Sequence, residues 1–481
     1  MPRSPETAEK RPGRPPQRGA RLLFAAFLLL IAATAWPGVA GAVTKLPDSR
    51  RVAIEGVEGP GPASYDRVWV RKYGAADPSC VLVLVPGSPA GQGGFSWVAG
   101  DIAKRVDGLA VWAMDRRSNA LEDTAPFRRG SPGDALPYYF GGAPFEGRRF
   151  APVDAEQAPW ARRWGAAMTL GDLRRVVQKA SDGGRRCVIL GGHSFGALEV
   201  PAYAAWDFNG RPGFRGLDGL VLIDGGLFNA FGSLLTANGF PPFANVAEAR
   251  ARIAALQTET PFNSDEGGGI PEWQVGVVPE MVCEYALSEP DAPSALQAGG
   301  FGALILTDPP PFPVTNEAFA GLFDKQALGD QGARLGHLAT SGKPRGWNDG
   351  SYASVARFCS TFTQEPGNGM EWYFPVRLEI DLAQGMERMV PNATTHYLGL
   401  RPQHLSEIDT PLYVLETKLS DGGVLRAAHE LVRRSSIRSA TLVAAPRMSH
   451  YDPLMDVAAK NRFVKTVVPF LKRSMRSAAV R

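Results

Sequence analysis

The fold is decided by one stretch of the chain, Cys187-Val188-Ile189-Leu190-Gly191-Gly192-His193-Ser194-Phe195-Gly196-Ala197. Its apolar beginning predicts a buried strand, and a helix-compatible segment follows its last glycine. A serine placed between strand and helix is held in a strained backbone conformation that lifts its hydroxyl above the sheet. Gly192 and Gly196 flank the serine because a Cβ at either position would collide across so tight a turn. The pattern therefore predicts that Ser194 is a nucleophile.

Strands and helices alternate on both sides of this stretch. Further strands are predicted at residues 51–55, 67–73, 80–85, 109–114, 219–224, 412–416 and 440–444. Helices are predicted from about residue 95 and at residues 164–180, 195–206, 424–434 and 454–473. The alternation predicts an α/β protein with a doubly wound, mostly parallel sheet. It is lost over residues 225–408, which predicts an inserted, mainly helical cap between two core segments, residues 43–224 and 409–481.

The N-terminus has the layout of a secretory signal peptide. A basic segment, residues 1–21, precedes an apolar run, residues 22–36, and Ala40-Gly41-Ala42 supplies small residues for cleavage. The run is shorter than the roughly 20 residues that a membrane-spanning helix needs. We therefore expect residues 1–42 to be removed and the protein to be secreted or periplasmic, with no transmembrane span. The alternative is a membrane anchor formed by residues 22–36.

The net positive charge of the chain lies in this predicted signal peptide. The whole chain has a formal net charge of +4, and its first 21 residues alone carry six basic and two acidic side chains. The remainder is balanced, so nothing in it indicates binding to nucleic acid or to an anionic surface.

The chain has four cysteines, and an even number permits two disulfides in an exported protein. Cys80 and Cys187 begin two predicted strands, which places their thiols at the same level if those strands are neighbours. That pairing leaves Cys283 to pair with Cys359. The alternative is that all four are buried free thiols.

The pentapeptide Gly192-His193-Ser194-Phe195-Gly196, in its strand–turn–helix context, resembles the nucleophile elbow of the α/β-hydrolase superfamily. The resemblance covers about residues 51–224 and 409–473. It implies an acyl-enzyme mechanism in which a histidine activates the serine and a carboxylate orients the histidine. In the superfamily the histidine follows the last strand, and here that place is taken by His450. The resemblance therefore implies that His450 is the base.

Three carboxylates are candidates for the acid of this triad. The usual superfamily position follows the strand at residues 412–416 and favours Asp421, one residue beyond the typical spacing, because a one-residue insertion costs little in a loop. Asp224 is the second candidate, since some superfamily members carry the acid at the end of the preceding strand. Glu416 is the third candidate and lies at the end of the predicted strand at residues 412–416.

Two backbone N–H groups are expected to stabilise the oxyanion. The resemblance implies that they belong to Phe195 and, in the loop after the strand at residues 80–85, to Ser88. Many superfamily members carry His-Gly in that loop, whereas this chain carries Pro86-Gly87. The glycine-rich residues 91–94 do not complete a phosphate-binding motif, and no spacing of histidines or cysteines indicates a metal site. We therefore expect no cofactor and no metal.

These observations predict a secreted serine hydrolase that cleaves a carboxylic ester, either a small molecule or a lipid-like one. The alternative is a secreted peptidase of the same fold, for which a carboxylate pair such as Asp265-Glu266 would hold a substrate α-amine. The third hypothesis is a non-catalytic binding protein, although such relatives usually lack the serine or the histidine. The sequence makes no prediction about the oligomeric state.

Overall fold

The computed structural model describes residues 45–232, 242–263 and 271–480. The predicted signal peptide, residues 1–42, and the pair Asp265-Glu266 lie outside these ranges. Within them, no helix combines the length and the apolar character that crossing a bilayer requires.

One eight-stranded sheet forms the centre of the fold, with the strand order β1-β2-β4-β3-β5-β6-β9-β10. Its strands are β1 (Ser49–Glu55), β2 (Arg67–Gly74), β3 (Cys80–Val85), β4 (Leu109–Met114), β5 (Cys187–His193), β6 (Gly219–Ile223), β9 (Leu412–Glu416) and β10 (Ala440–Ala444). Strand β2 runs antiparallel to β1 and β4, and all other neighbours are parallel. This arrangement confirms the predicted doubly wound, mostly parallel sheet.

Helices cover both faces of the sheet, and this is why β3, β4, β6 and β9 are apolar at nearly every position. In β3, Leu82 and Leu84 belong to the core of one face, whereas Val81 and Val83 belong to the core of the other. The first face is covered by the helices Ser96–Ala103 and Arg462–Val480. The second is covered by the helices Ala166–Ser181, Gly196–Ala205 and Gly423–Arg434.

A long insertion separates β6 from β9, although these two strands are hydrogen-bonded neighbours. Its helices in the described residues are Val246–Ala255, Glu272–Ser288, Ala295–Ala298, Gly302–Ile305, Asn316–Ala327, Val355–Phe362, Val376–Glu379 and Ala393–Leu398. It also contains a π-helical segment, Ile380–Met386. The insertion further includes an antiparallel hairpin of β7 (Gly336–Gly342) and β8 (Arg345–Asp349), which the sequence did not predict. Two further short helices, Ala125–Arg129 and Pro132–Tyr139, follow β4.

The C-terminal helix differs from the prediction of one helix over residues 454–473. The chain forms a short helix, Asp452–Met455, and begins a second one at Arg462. Asn461 separates them: its Oδ1 accepts a hydrogen bond from Val464 N at 3.1 Å, and its Nδ2 donates to Pro453 O at 3.0 Å. Asn461 thus caps the start of the second helix.

The cysteines form one disulfide. Strands β3 and β5 are neighbours in which Cys80 lies opposite Cys187, and these two residues are bonded. The second predicted pairing is wrong, because Cys283 and Cys359 are buried free thiols on two packed helices of the insertion. Burial raises the pKa of both thiols, which disfavours the thiolate that forms a disulfide.

Candidate active site

Ser194 lies in the sharp turn between β5 and the helix Gly196–Ala205. Its φ is 54°, a strained value for a residue with a side chain, and its N–H donates to Ile223 O at 2.9 Å. A Cβ added to Gly192 would collide with the carbonyl of Gly196, and one added to Gly196 would collide with that of Val85. The two glycines therefore allow the close approach that the sequence pattern predicts.

His450 follows β10 and is hydrogen-bonded to Asp224, which directly follows β6. The distance between His450 Nδ1 and Asp224 Oδ2 is 2.6 Å. Thr417 N donates to Asp224 Oδ1 at 2.7 Å, and the Thr417 hydroxyl donates to Asp224 Oδ2. Burial works to raise the pKa of Asp224, but the hydrogen bonds and charge of His450 and the bonds from Thr417 outweigh it and lower this pKa. The ionised carboxylate accepts the Nδ1 proton, which leaves Nε2 of His450 as the nitrogen able to act as a base.

The structure does not bring Asp421, the first candidate acid, to His450, whose Nδ1 is bound by Asp224. Asp421 is an exposed turn residue with a φ of 45° ahead of the helix Gly423–Arg434. Glu416, the third candidate, is turned to the same helix, where its Oε2 accepts from Leu425 N at 2.8 Å. Because β6 and β9 are neighbours, a carboxylate after either strand can occupy the place beside the histidine, and the one after β6 does so.

Ser194 and His450 line one cavity of about 20 Å³, which is room for about one water molecule. Other residues that line it include Gly87, Ser88, Thr361, Phe362 and Gly369. Three of these, Thr361, Phe362 and Gly369, come from the insertion. The insertion therefore covers the space in front of the serine.

His193, which immediately precedes Ser194, contacts His450. Its Nε2 lies 3.0 Å from His450 O, and the two imidazole ring centres are 4.4 Å apart. Since a carbonyl only accepts, Nε2 of His193 carries a proton and donates it. Burial and the neighbouring charge of His450 lower the pKa of His193 to about 3, so the ring is neutral. Neither this contact nor that of Thr417 was predicted from the sequence.

The two predicted oxyanion donors lie on either side of Ser194. Phe195 immediately follows the serine, and the loop that carries Ser88 passes so close that a Cβ on Gly87 would lie 2.9 Å from the Cβ of Ser194. Within the described residues, the N–H groups of Phe195 and Ser88 donate to no other protein group. Both amides therefore remain available to a ligand.

The glycine-rich residues 91–94 serve packing. Gly91 N donates to Gly369 O at 3.0 Å, and Gly93 N donates to Asn368 O at 2.8 Å. A Cβ at Gly91 or Gly93 would collide with the backbone of Asn368. These glycines thus allow the insertion to lie directly on the loop that follows β3. In the described part of the chain, no group of three or more His, Cys, Asp or Glu side chains has the arrangement of a metal site.

No protein-family model and no curated protein matches the sequence. Similarity appears among solved structures. A candidate lipase from Sulfolobus solfataricus is 15% identical, with a TM-score of 0.51 over 88% of this chain and 94% of that chain. An epoxide hydrolase from Vigna radiata is 13% identical, with a TM-score of 0.41 over 90% and 99% of the two chains. A soluble variant of a Saccharomyces cerevisiae monoglyceride lipase is 10% identical, with a TM-score of 0.40 over 92% and 99%. The chain has the α/β-hydrolase fold, and at these identities the likeness extends to the fold alone.

Proposed function

We propose that this protein is a secreted serine hydrolase that cleaves carboxylic esters through an acyl-enzyme on Ser194. One observation carries the proposal: His450, which is hydrogen-bonded to the buried Asp224, lines the same small cavity as a serine held at positive φ. A serine hydroxyl needs such a base to become a nucleophile, and the base needs such a carboxylate to fix its tautomer. The proposal includes cleavage of residues 1–42 and a cap formed by residues 225–408.

The proposed reaction begins when His450 Nε2 removes the hydroxyl proton and Ser194 Oγ attacks the ester carbonyl carbon. The N–H groups of Phe195 and Ser88 stabilise the oxyanion of the tetrahedral intermediate. His450 then returns the proton to the leaving alcohol, and the acyl-enzyme remains. A water molecule, deprotonated by His450, releases the acid and restores the serine, while Asp224 stabilises the imidazolium in each half-reaction.

The size of the cavity makes short esters the first substrates to test. A cavity of about 20 Å³ holds about one water molecule, so any acyl group needs the covering residues to move, and a short one needs the smallest movement. A serine at the elbow also distinguishes this chain from relatives of the fold that open epoxides with an aspartate there. The remaining alternative, a peptidase, would use Asp265-Glu266, which lie outside the described residues.

A fluorophosphonate probe tests the proposal directly, with Ser194→Ala as the matched control. We expect the wild-type protein to be labelled at Ser194 and the variant to remain unlabelled. Aryl esters of increasing acyl length and aminoacyl arylamides are then compared as substrates. Turnover of short esters supports the proposal, whereas arylamide turnover alone identifies a peptidase. A wild-type protein that is neither labelled nor active is a non-catalytic member of the fold.

A further inference from the structure

Arg116, the second residue after β4, binds the loop that carries Ser88. Its side chain is only 3% exposed. Nη2 donates to Pro86 O at 2.6 Å, and Nη1 donates to Gly87 O at 3.0 Å. Two consecutive carbonyl groups of the loop are therefore turned towards one guanidinium.

The orientation of these carbonyls determines where the following N–H groups point. The peptide bond between Gly87 and Ser88 is trans, so the carbonyl of Gly87 and the N–H of Ser88 lie on opposite sides of one rigid plane. Because Arg116 holds that carbonyl, the N–H of Ser88 must face away from the arginine. Ser88 lines the cavity of Ser194, and its N–H donates to no group of the described residues, so an N–H turned away from Arg116 is available to a group bound in that cavity.

The same guanidinium is anchored on its other edges. Arg116 Nε donates to Glu199 Oε1 at 3.0 Å, and Glu199 lies on the helix Gly196–Ala205, which begins next to Phe195. Arg116 Nη1 also donates to Glu371 of the insertion at 2.8 Å. Arg116 thus connects three segments. They are the loop that carries Ser88, the helix that follows Phe195, and the part of the insertion that contains Glu371.

We propose that Arg116 is a positioning residue that aims the Ser88 N–H into the oxyanion hole, and that Glu199 and Glu371 hold it in place. It holds a loop that carries Pro86-Gly87 through both of these carbonyl groups. The inference rests on the proposed function, because an oxyanion hole acts only if Ser194 attacks a carbonyl.

The test compares Arg116→Lys with a matched control, Arg117→Lys. Lysine keeps the charge but lacks the planar fork needed to hold two carbonyls and two carboxylates at once. Arg117 is equally buried and is bound by Asp172 and Asp66, away from the loop. We expect kcat for a short aryl ester to fall by roughly 10- to 100-fold in Arg116→Lys, with little change in KM, since removal of an oxyanion donor costs about 10²- to 10³-fold. The control should remain within about threefold of wild type.

A second measurement separates positioning from general loss of structure. The ester and its thiono analogue, in which sulfur replaces the carbonyl oxygen, are compared on each protein. Sulfur accepts hydrogen bonds weakly, so an intact oxyanion hole makes the oxygen ester much the better substrate. We expect the ratio of the two kcat/KM values to fall by about tenfold in Arg116→Lys and to stay unchanged in Arg117→Lys.

The outcomes are distinct. If wild-type protein hydrolyses no ester, the proposed function fails and the inference falls with it. If the wild type is active and a well-folded Arg116→Lys keeps the oxygen-to-sulfur ratio, only the inference is overturned. Should Arg116→Lys not fold, Glu371→Gln replaces it, because glutamine keeps an acceptor oxygen but removes the charge that holds the guanidinium. A ratio unchanged in Glu371→Gln then overturns the inference.

Discussion

Arg117 and Asp224 of the core are buried in a different way from several carboxyl groups of the insertion. In the core, Arg117 is paired with Asp172 at 2.7 Å and with Asp66 at 2.8 Å. Asp224 is paired with His450, and its pKa is lowered in spite of its burial. The pairing keeps Asp224 ionised at neutral pH, and the partners of Arg117 and Asp224 hold both side chains in one orientation.

Several carboxyl groups of the insertion are buried or half-buried without a cationic side chain as their main partner; they are Glu280, Glu284, Glu317, Asp324 and Glu387. Burial raises the pKa of Glu284, Glu317 and Asp324 to about 7 and that of Glu387 to about 8. Burial also raises the pKa of Glu280 well above its usual range. These groups are most easily accommodated in their neutral form.

The two groups of side chains should respond differently to pH. A carboxyl whose pKa is raised in the folded state binds a proton more tightly there than in the unfolded state. Its contribution to stability is fully present below the unfolded pKa, near 4, and is lost as the pH rises through about 7 to 8. We therefore expect these carboxyl groups of the insertion to lose their contribution to stability at alkaline pH, whereas Asp224 remains ionised and paired with His450 there.

The largest effect is expected from removing the paired charge beside the base. Asp224→Asn leaves the shape of the site but no longer fixes the His450 tautomer, and kcat should fall by about 10⁴-fold. The matched control is Asp421→Asn, which alters an exposed carboxyl in a nearby turn and should leave kcat within about twofold. Steady-state kinetics with a short aryl ester measure both. A larger loss in Asp421→Asn than in Asp224→Asn would contradict the geometry of this site.

The next effect concerns the two cysteine pairs. Removing the core disulfide with Cys80→Ala/Cys187→Ala opens a link across 107 residues and should lower the free energy of unfolding by about 2–5 kcal/mol. Urea unfolding measures the change. The insertion pair supplies the control, Cys283→Ala/Cys359→Ala. A reductant should lower the melting temperature of this control but not that of the core variant. Sensitivity of the core variant to reductant would show that another disulfide forms.

The smallest effect is a change in how steeply the free energy of unfolding declines as the pH rises. Among the described residues, neither buried carboxylate oxygen of Glu387 has a hydrogen-bond partner. Glu387→Gln should flatten the decline in unfolding free energy between about pH 5 and pH 8 by up to about 1.4 kcal/mol per pH unit, the limit for one proton. Urea unfolding at several pH values measures this slope. Glu430→Gln, which alters a half-exposed carboxyl paired with Arg433, is the control and should leave the slope unchanged. Equal slopes in wild type and Glu387→Gln would mean that Glu387 is ionised in the folded protein.

The parts of the fold that the sequence predicts are those with a strong local pattern. The apolar runs of β3 and β4 are buried on both faces, so their bounds agree with the prediction. Hairpin β7–β8 is mostly exposed or half-buried and carries no such pattern, and it was missed. A local sequence pattern is also missing for the carboxylate that pairs with His450. Asp224 and Asp421 are both plausible by position along the chain, and only the pairing of β6 with β9 places Asp224 at the histidine.

The route by which the chain leaves and rejoins the sheet has an evolutionary consequence. Asp224 stands where the insertion departs from β6, Thr417 stands just after its return through β9, and the two are hydrogen-bonded at 2.7 Å. The two ends of this segment are therefore joined whatever lies between them. A lineage can lengthen, shorten or exchange the intervening chain, and so change which molecules reach Ser194, without altering the position of the carboxylate. The sheet can then be inherited unchanged while substrate preference diverges.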